Sequence, residues 1–463
     1  MLATSILCVK RQCRLPNRKK PMLEEQGARP LDSAASGKVT WLIRRRFVRR
    51  NGRNDNLYRL LRRSSAMTVQ RIILTDTDSG EFLQAGRVDA SSGVALSGSV
   101  DWSVSKRTLS GGPSDGVDVV DLNNGELSMS ILPTRGMGLW RGEYHGIPIG
   151  WNSPVARPVH PSLVNLEARG GLGWLGGFNE LMCRCGLSFN GPPGIDRVVD
   201  ENGNVSESEL TLHGKIANIP AHHVAVEISD EGPGTLSVTG VVEETMMFAP
   251  ALRLTSTVST EAGSNGITVT DVVTNVGGQP TELQMLYHTN IGRPFLGEGS
   301  KFVAPIAEVA PRDAHSAKGL DSFDQYGGPV AGLPEEAFFC DLISDRKEQT
   351  QVLLRNAEGD RGLSLSFSTK QLPCFTLWKN TQAEADGYVT GLEPGTNLPN
   401  LKTFERERGR VITLAPGESY ETSFELRVHD TPEAIAQTEK QIRALQTSHP
   451  RRHEGPIERF SPS

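Results

Sequence analysis

The sequence predicts a mainly β protein, a large antiparallel β-sandwich with few short helices. Three observations carry that expectation. Short apolar runs recur with a period of two between turn-forming Gly, Pro and Asn residues. Only Thr431 to Gln446 repeats its apolar positions at spacings of three and four, behind a Thr431-Pro432-Glu433 start. Strands and helices do not alternate, and no Gly-rich phosphate loop follows a strand, which disfavours a doubly wound nucleotide-binding fold.

Composition sets the limits. The chain has 463 residues, 37% hydrophobic and 22% charged, with 48 Gly and 28 Pro, the profile of a turn-rich globular protein with a sizeable core. No run of about 18 apolar residues occurs, so no membrane-spanning helix is expected. The net charge of −5 hides a division. Residues 1–66 carry 17 Lys and Arg against 4 Asp and Glu, leaving 32 basic against 50 acidic residues in the rest. An acidic body argues against a nucleic-acid groove across the main domain.

The basic head is read as a disordered or spurious extension, with a targeting segment or nucleic-acid arm as the competing readings. A sandwich domain over 67–430 and a helix with a polar tail over 431–463 follow. The cysteines suit a reducing cytoplasm: Cys340 and Cys374 are isolated in apolar runs, and Cys183-Arg184-Cys185 is too closely spaced for the usual zinc pair.

Val69 to Leu74 begins the ordered body. Gly116 to Leu122, an Asn123-Asn124-Gly125 turn and Leu127 to Leu132 read as a hairpin. Four runs beginning at Ala225, Leu236, Leu252 and Ile267 read as an antiparallel meander. Later runs at Val352, Leu363, Cys374 and Tyr420 add further strands, and the stretch from about 145 to 200 is irregular.

Chemistry is expected at strand ends. Tyr388-Val389 leads to Glu393-Pro394, read as the point where a strand stops and presents a half-desolvated carboxylate suited to general-base work. Leu283 to Tyr287 delivers His288 to a polar exit containing Asn290; an imidazole there can donate a proton near neutral pH. His213 precedes a Gly that permits close backbone approach. Arg135, after a strand, offers a planar fork for hydroxyls or anions, with a structural Arg as the bland alternative. The Gly-dense stretch 170–183 supplies Trp174 and Phe178 as an apolar wall and Asn179 or Glu180 as hydroxyl partners, against a plain core plug. Lys379 is a further candidate. His222 and His223 are adjacent, so on a strand they face opposite ways and poorly share one metal ion.

Three of these stretches, Leu212-His213-Gly214, Tyr287-His288-Thr289-Asn290 and Leu392-Glu393-Pro394, resemble in this order the galactose mutarotase-like (aldose 1-epimerase) superfamily. The Pro133-Thr134-Arg135-Gly136-Met137 stretch and the stretch from Trp174 to Leu187 are similar to its divergent DUF4432 branch. Tyr287 and Ile291 depart from the superfamily pattern around the histidine, and Asp341 is only a guess for a further sugar-binding acid. The resemblance implies a supersandwich fold and an isomerase that interconverts sugar anomers by acid/base ring opening in carbohydrate metabolism. It implies His288 as general acid and Glu393 as general base. His213 would bind the sugar, with Arg135, Asn290, Lys379, Glu180 and Trp174 as further candidate contacts. No metal or organic cofactor is implied, and the partner is a small-molecule sugar handled by a monomer or homodimer. Two alternatives stand beside it: a non-catalytic sugar-binding or sensor protein on the same scaffold, and a metal-dependent isomerase using His213, His222 or His223 with Glu180 or Glu393.

Overall fold

A computed structural model describes residues 69–92, 96, 101–199 and 202–462. The basic head at 1–66 lies outside the described residues. Two large sheets of ten and thirteen strands make up the body. Among the described residues, strands pair antiparallel except where Arg451–Arg452 runs parallel to Ile306–Pro311. Among the described residues, no helix is long and apolar enough to cross a membrane.

The ten-stranded sheet grows from the expected meander. Thr235–Thr245, Ala251–Glu261 and Gly266–Asn275 pair in sequence, and Ser419–His429 returns from far along the chain to lie against Gly266–Asn275. Burial alternates along these strands because Val, Leu and Ile alternate with Thr, Ser and charged residues. Fully burying each such aliphatic side chain contributes about 1.5–3 kcal/mol.

The thirteen-stranded sheet holds the hairpin Asp118–Asn123 and Leu127–Leu132 and, further along, Met182–Cys185, Leu286–Ile291, Val389–Gly395 and Cys374–Asn380 as successive neighbours. Asn124 of the hairpin turn is fully buried. Its amide donates to Thr260 Oγ1 (2.7 Å) and the Glu261 carbonyl (2.9 Å), while its oxygen accepts from Leu127 N, hooking this sheet to the other.

A second tie lies at the centre. Arg184 donates from Nε and Nη2 to Asp271 (2.5 and 3.0 Å), and Tyr287 donates to the same carboxylate at 2.7 Å. Arg184 and Tyr287 belong to the thirteen-stranded sheet and Asp271 to the ten-stranded one, so this network fills the gap between the sheets. Side chains alternate along a strand. The neighbours Cys183, Cys185 and His288 therefore project from the opposite face, turned away from the ten-stranded sheet.

Two features depart from expectation. The strand expected to end at Glu393-Pro394 continues to Gly395. The C-terminal helix forms over Pro432–Leu445 as expected, with the Thr431 hydroxyl accepting from Ala434 N and Ile435, Thr438 and Ile442 buried. The residues after it are not a free polar tail: Arg451–Arg452 adds to the sheet, and Phe460 packs with Ala310, Phe339 and Leu398 because the tail carries its own apolar anchors.

Candidate active site

The register of four strands assembles the site. In the pairing of Leu286–Ile291 with Val389–Gly395, Leu286 faces Gly395 and Thr289 faces Leu392. The same register sets His288 across from Glu393. The ladder is interrupted there because Pro394 has no N–H to offer. On the outer sides, Cys183 faces His288 and Thr376 faces Glu393. Cys183, His288, Glu393 and Thr376 thus form one cross-strand row, and Asn290, Gly391 and Trp378 form the next.

His288 Nε2 stands 3.2 Å from Glu393 Oε1. The other ring nitrogen is fixed by Asn290. The Asn290 amide nitrogen donates to the carbonyls of Glu180 (3.0 Å) and His288 (3.1 Å), so its oxygen must face the ring and accept from Nδ1 at 2.6 Å. The ring proton therefore resides on Nδ1, leaving the Nε2 lone pair toward Glu393. Both groups are buried, with side chains 6% and 3% exposed. Burial, with a smaller contribution from the charge of His213, pulls His288 down to about 3. Burial also pushes Glu393 well above the usual carboxylate range, against the opposing pull of His213. Both directions favour a protonated carboxyl beside a neutral imidazole, close together but without an aligned hydrogen bond between them.

Aromatic rings enclose His288. Phe178 and Trp378 meet it edge-on at 5.0 and 5.2 Å, His213 at 5.5 Å, and Trp174 lies 6.1 Å away. Trp151 extends the wall through Phe178 and donates its indole N–H to the Glu180 carbonyl at 3.0 Å. At the rim, the Trp378 indole donates to Glu335 (2.6 Å), which also accepts from Arg312 (3.0 Å). Within this enclosure Glu393 Oε1, Thr376 Oγ1 and Trp174 Nε1 are buried without an aligned hydrogen-bond partner among the described residues.

The candidates read from sequence divide. His288, Glu393, Asn290, His213 and Trp174 come together. Arg135, Glu180 and Lys379 are committed elsewhere. Arg135 donates to Glu180 Oε1 (2.6 Å), to the Val159 and Gly177 carbonyls and to Asn218, clamping the loop that bears Trp174 and Phe178. Gly177 is required there, because a Cβ would stand 2.7 Å from the guanidinium. The second Glu180 oxygen accepts from Asn179 N, so its side chain is spent; its backbone carbonyl is what orients Asn290 and Trp151. Lys379 is one residue past Trp378 and so lies on the other face, donating to the Gln325 carbonyl at 2.9 Å and pairing with Glu336. His222 and His223 are in and beside the ten-stranded sheet, apart from His213. Asp341 pairs with Arg459 near the surface.

The sequence reading missed Trp378, Trp151, Thr376 and the direct place of both cysteines. Trp378 was within reach of the period-two rule applied from Glu393, once the pairing of the two strands is known. His213 adopts φ 58° and its Nδ1 donates to the Asn190 carbonyl at 2.8 Å.

The chain is similar to known proteins over most of its length. Residues 114–428 match the model of a domain of unknown function, DUF4432. A solved structure described as a candidate aldose 1-epimerase from Klebsiella pneumoniae is 34% identical, covers 84% of this chain and 99% of its own, and superposes with a TM-score of 0.78. A galactose mutarotase-like protein from Clostridium acetobutylicum is 15% identical over 68% of this chain and 96% of its own, with a TM-score of 0.48. No curated protein matches the chain.

Proposed function

From the premise that this chain belongs to the DUF4432 family, we propose that it is an aldose 1-epimerase-type isomerase that interconverts the anomers of a sugar through ring opening. The observation that carries this reading is the His288–Glu393 pair, two acid/base groups 3.2 Å apart inside an aromatic enclosure. The candidate aldose 1-epimerase that the chain resembles supports the reaction class.

The chemistry needs one proton on the pair throughout. Sugar hydroxyls donating to Glu393 Oε1 favour its ionised form and pass its proton to His288 Nε2. Glu393 then takes the proton of the anomeric hydroxyl while His288 protonates the ring oxygen, and the bond from the anomeric carbon to the ring oxygen breaks. Rotation about the bond between the first two carbons presents the other carbonyl face. On closure the attacking hydroxyl gives its proton to His288, and Glu393 returns a proton to the carbonyl oxygen, which becomes the anomeric hydroxyl. Each partner contributes about 10²–10⁴ in rate. Trp174, Phe178 and Trp378 cover the apolar faces of the ring, and Thr376 and the Trp174 N–H take hydroxyls. His213 and Asn290 act through orientation, the second by holding the His288 tautomer.

The test is NMR saturation exchange between anomers across free, phosphorylated and acidic aldoses, with the full-length chain. Acceleration on one class of sugar supports the proposal and names the substrate. Binding without acceleration on any member replaces it with the sugar-sensor reading.

A further inference from the structure

The aromatic wall of the site has one member that reaches the surface. Trp174 and Phe178 are buried, whereas Trp378 is half-buried and closes the side of His288 nearest the rim, its ring meeting the imidazole at 5.2 Å. An indole so placed needs a partner for its N–H, or the ring turns to reach water. Glu335 supplies that partner. It immediately precedes the strand Glu336–Leu342, in which Ala337 faces Trp378, and so meets the indole as a diagonal neighbour.

Glu335 is itself held. One carboxylate oxygen accepts from Trp378 Nε1 at 2.6 Å and the other from Arg312 Nη2 at 3.0 Å. Arg312 Nε donates to Asp313 at 3.0 Å, and Asp313 accepts from the backbone N–H (2.8 Å) and the hydroxyl (3.0 Å) of Ser316. The Ser316 oxygen in turn accepts from Ala337 N at 3.1 Å. The chain of bonds thus leaves the backbone at Ala337 and returns to the ring of Trp378, directly across the strand pair. An acceptor anchored on its far side offers the indole one orientation.

We propose that Glu335 is a positioning residue of the active site: by accepting from the Trp378 indole it pins that ring against His288 and keeps water from the imidazole. Its link to catalysis rests on the isomerase reading, whereas its link to His288 does not. Its charge is not the working feature, because Glu335 and Arg312 act on Glu393 with opposite sign. Burial is what pulls His288 down to about 3, and Trp378 supplies part of that burial. The titratable groups facing His288 are Glu393, Cys183 across the strand pair and His213 at 5.5 Å. All three stay in place when Glu335 is truncated, so a change at His288 reports the ring. The two effects also differ in direction. Loss of a negative charge alone would lower His288 further, and loss of the ring's cover would raise it.

The experiment is NMR of the full-length chain with isotope-labelled tryptophan and histidine, the two resonances being identified by Trp378→Phe and His288→Asn. In the wild type the Trp378 indole N–H is expected to resist hydrogen exchange and His288 to titrate far below 6.5. Glu335→Ala should exchange that N–H faster by about 10-fold or more, the factor that a hydrogen bond to a charged acceptor represents. It should also move the His288 titration up toward the ordinary value, and on a responsive sugar add an acid limb to the pH–rate profile. Glu335→Gln keeps an oxygen for the indole and should retain both wild-type NMR signals. An unmoved or lowered His288 titration in folded Glu335→Ala overturns the proposal, as does a Glu335→Gln chain that behaves like Glu335→Ala. If Glu335→Ala does not fold, Trp378→Phe decides: it keeps a ring without the N–H, and it too should raise the His288 titration. Because these readouts need no turnover, a His288 shift in a protein that exchanges no sugar would fault the isomerase reading and leave the positioning role standing.

Discussion

A Cβ on Gly391 would stand 2.3 Å from Oε1 of Glu393, two residues along the same face of the strand. The general-base candidate therefore occupies space that only glycine leaves open. Gly391 is in extended backbone, so alanine fits the chain locally and the flexible carboxylate must yield instead. Gly391→Ala is expected to leave the fold intact and lower anomer exchange by about 10²-fold, the usual cost of a displacement near 1 Å. Circular dichroism and NMR exchange on the same sample check both halves.

The pH profile should reflect the protonation of the pair. The pair fails when it gains a second proton or loses its only one. His288, pulled to about 3, resists the gain until well below 6.5, and the raised Glu393 resists the loss. Activity on a non-ionising sugar is therefore expected to stay level as pH falls through 6.5, where an ordinary histidine would titrate. A pH–rate profile with an acid limb near 6.5 would contradict this.

The same burial has a stability consequence of defined sign. The Glu393 carboxyl binds its proton more tightly in the folded state, so its contribution is complete below the unfolded value of 4.5 and is lost as pH rises toward the raised folded value. Glu393→Gln removes that loss. Its stability relative to wild type should rise with pH above 4.5, at up to about 1.4 kcal/mol per unit. Urea denaturation at several pH values measures the slope.

Asp271 offers a test of the scaffold independent of the site. It accepts from Arg184 and Tyr287 between the sheets, and Asp271→Ala would leave a buried guanidinium without its counter-charge. The expected cost is about 3–5 kcal/mol in denaturant unfolding.

These features were unevenly legible in the sequence. The meander from Ala225 to Val273 was readable because β-branched and polar residues alternate there without interruption. His288 and Glu393 were readable as strand-borne polar groups, and the family motif order supplied their roles. What the sequence could not convey was register, both between distant strands, as for His288 and Glu393, and between the nearby strands that carry Trp378 and Gly391. That is why Lys379 was favoured over Trp378, although one residue's step along a strand reverses the face. It is also why Arg135 and Glu180 looked like ligand contacts: nothing local reveals that each is consumed by the other. Pro394 was read as a strand end because it lacks an N–H, yet the strand continues, with the gap confined to its pairing with His288 and Tyr287.

The central claim is that His288 and Glu393 move the proton that opens the sugar ring. Its most direct test is saturation-transfer exchange on the responsive sugar with wild type, Glu393→Gln and His288→Asn, each verified as folded. The account predicts that exchange falls by about 10²-fold or more in both variants while sugar binding persists. Exchange at the wild-type rate in either variant would contradict it.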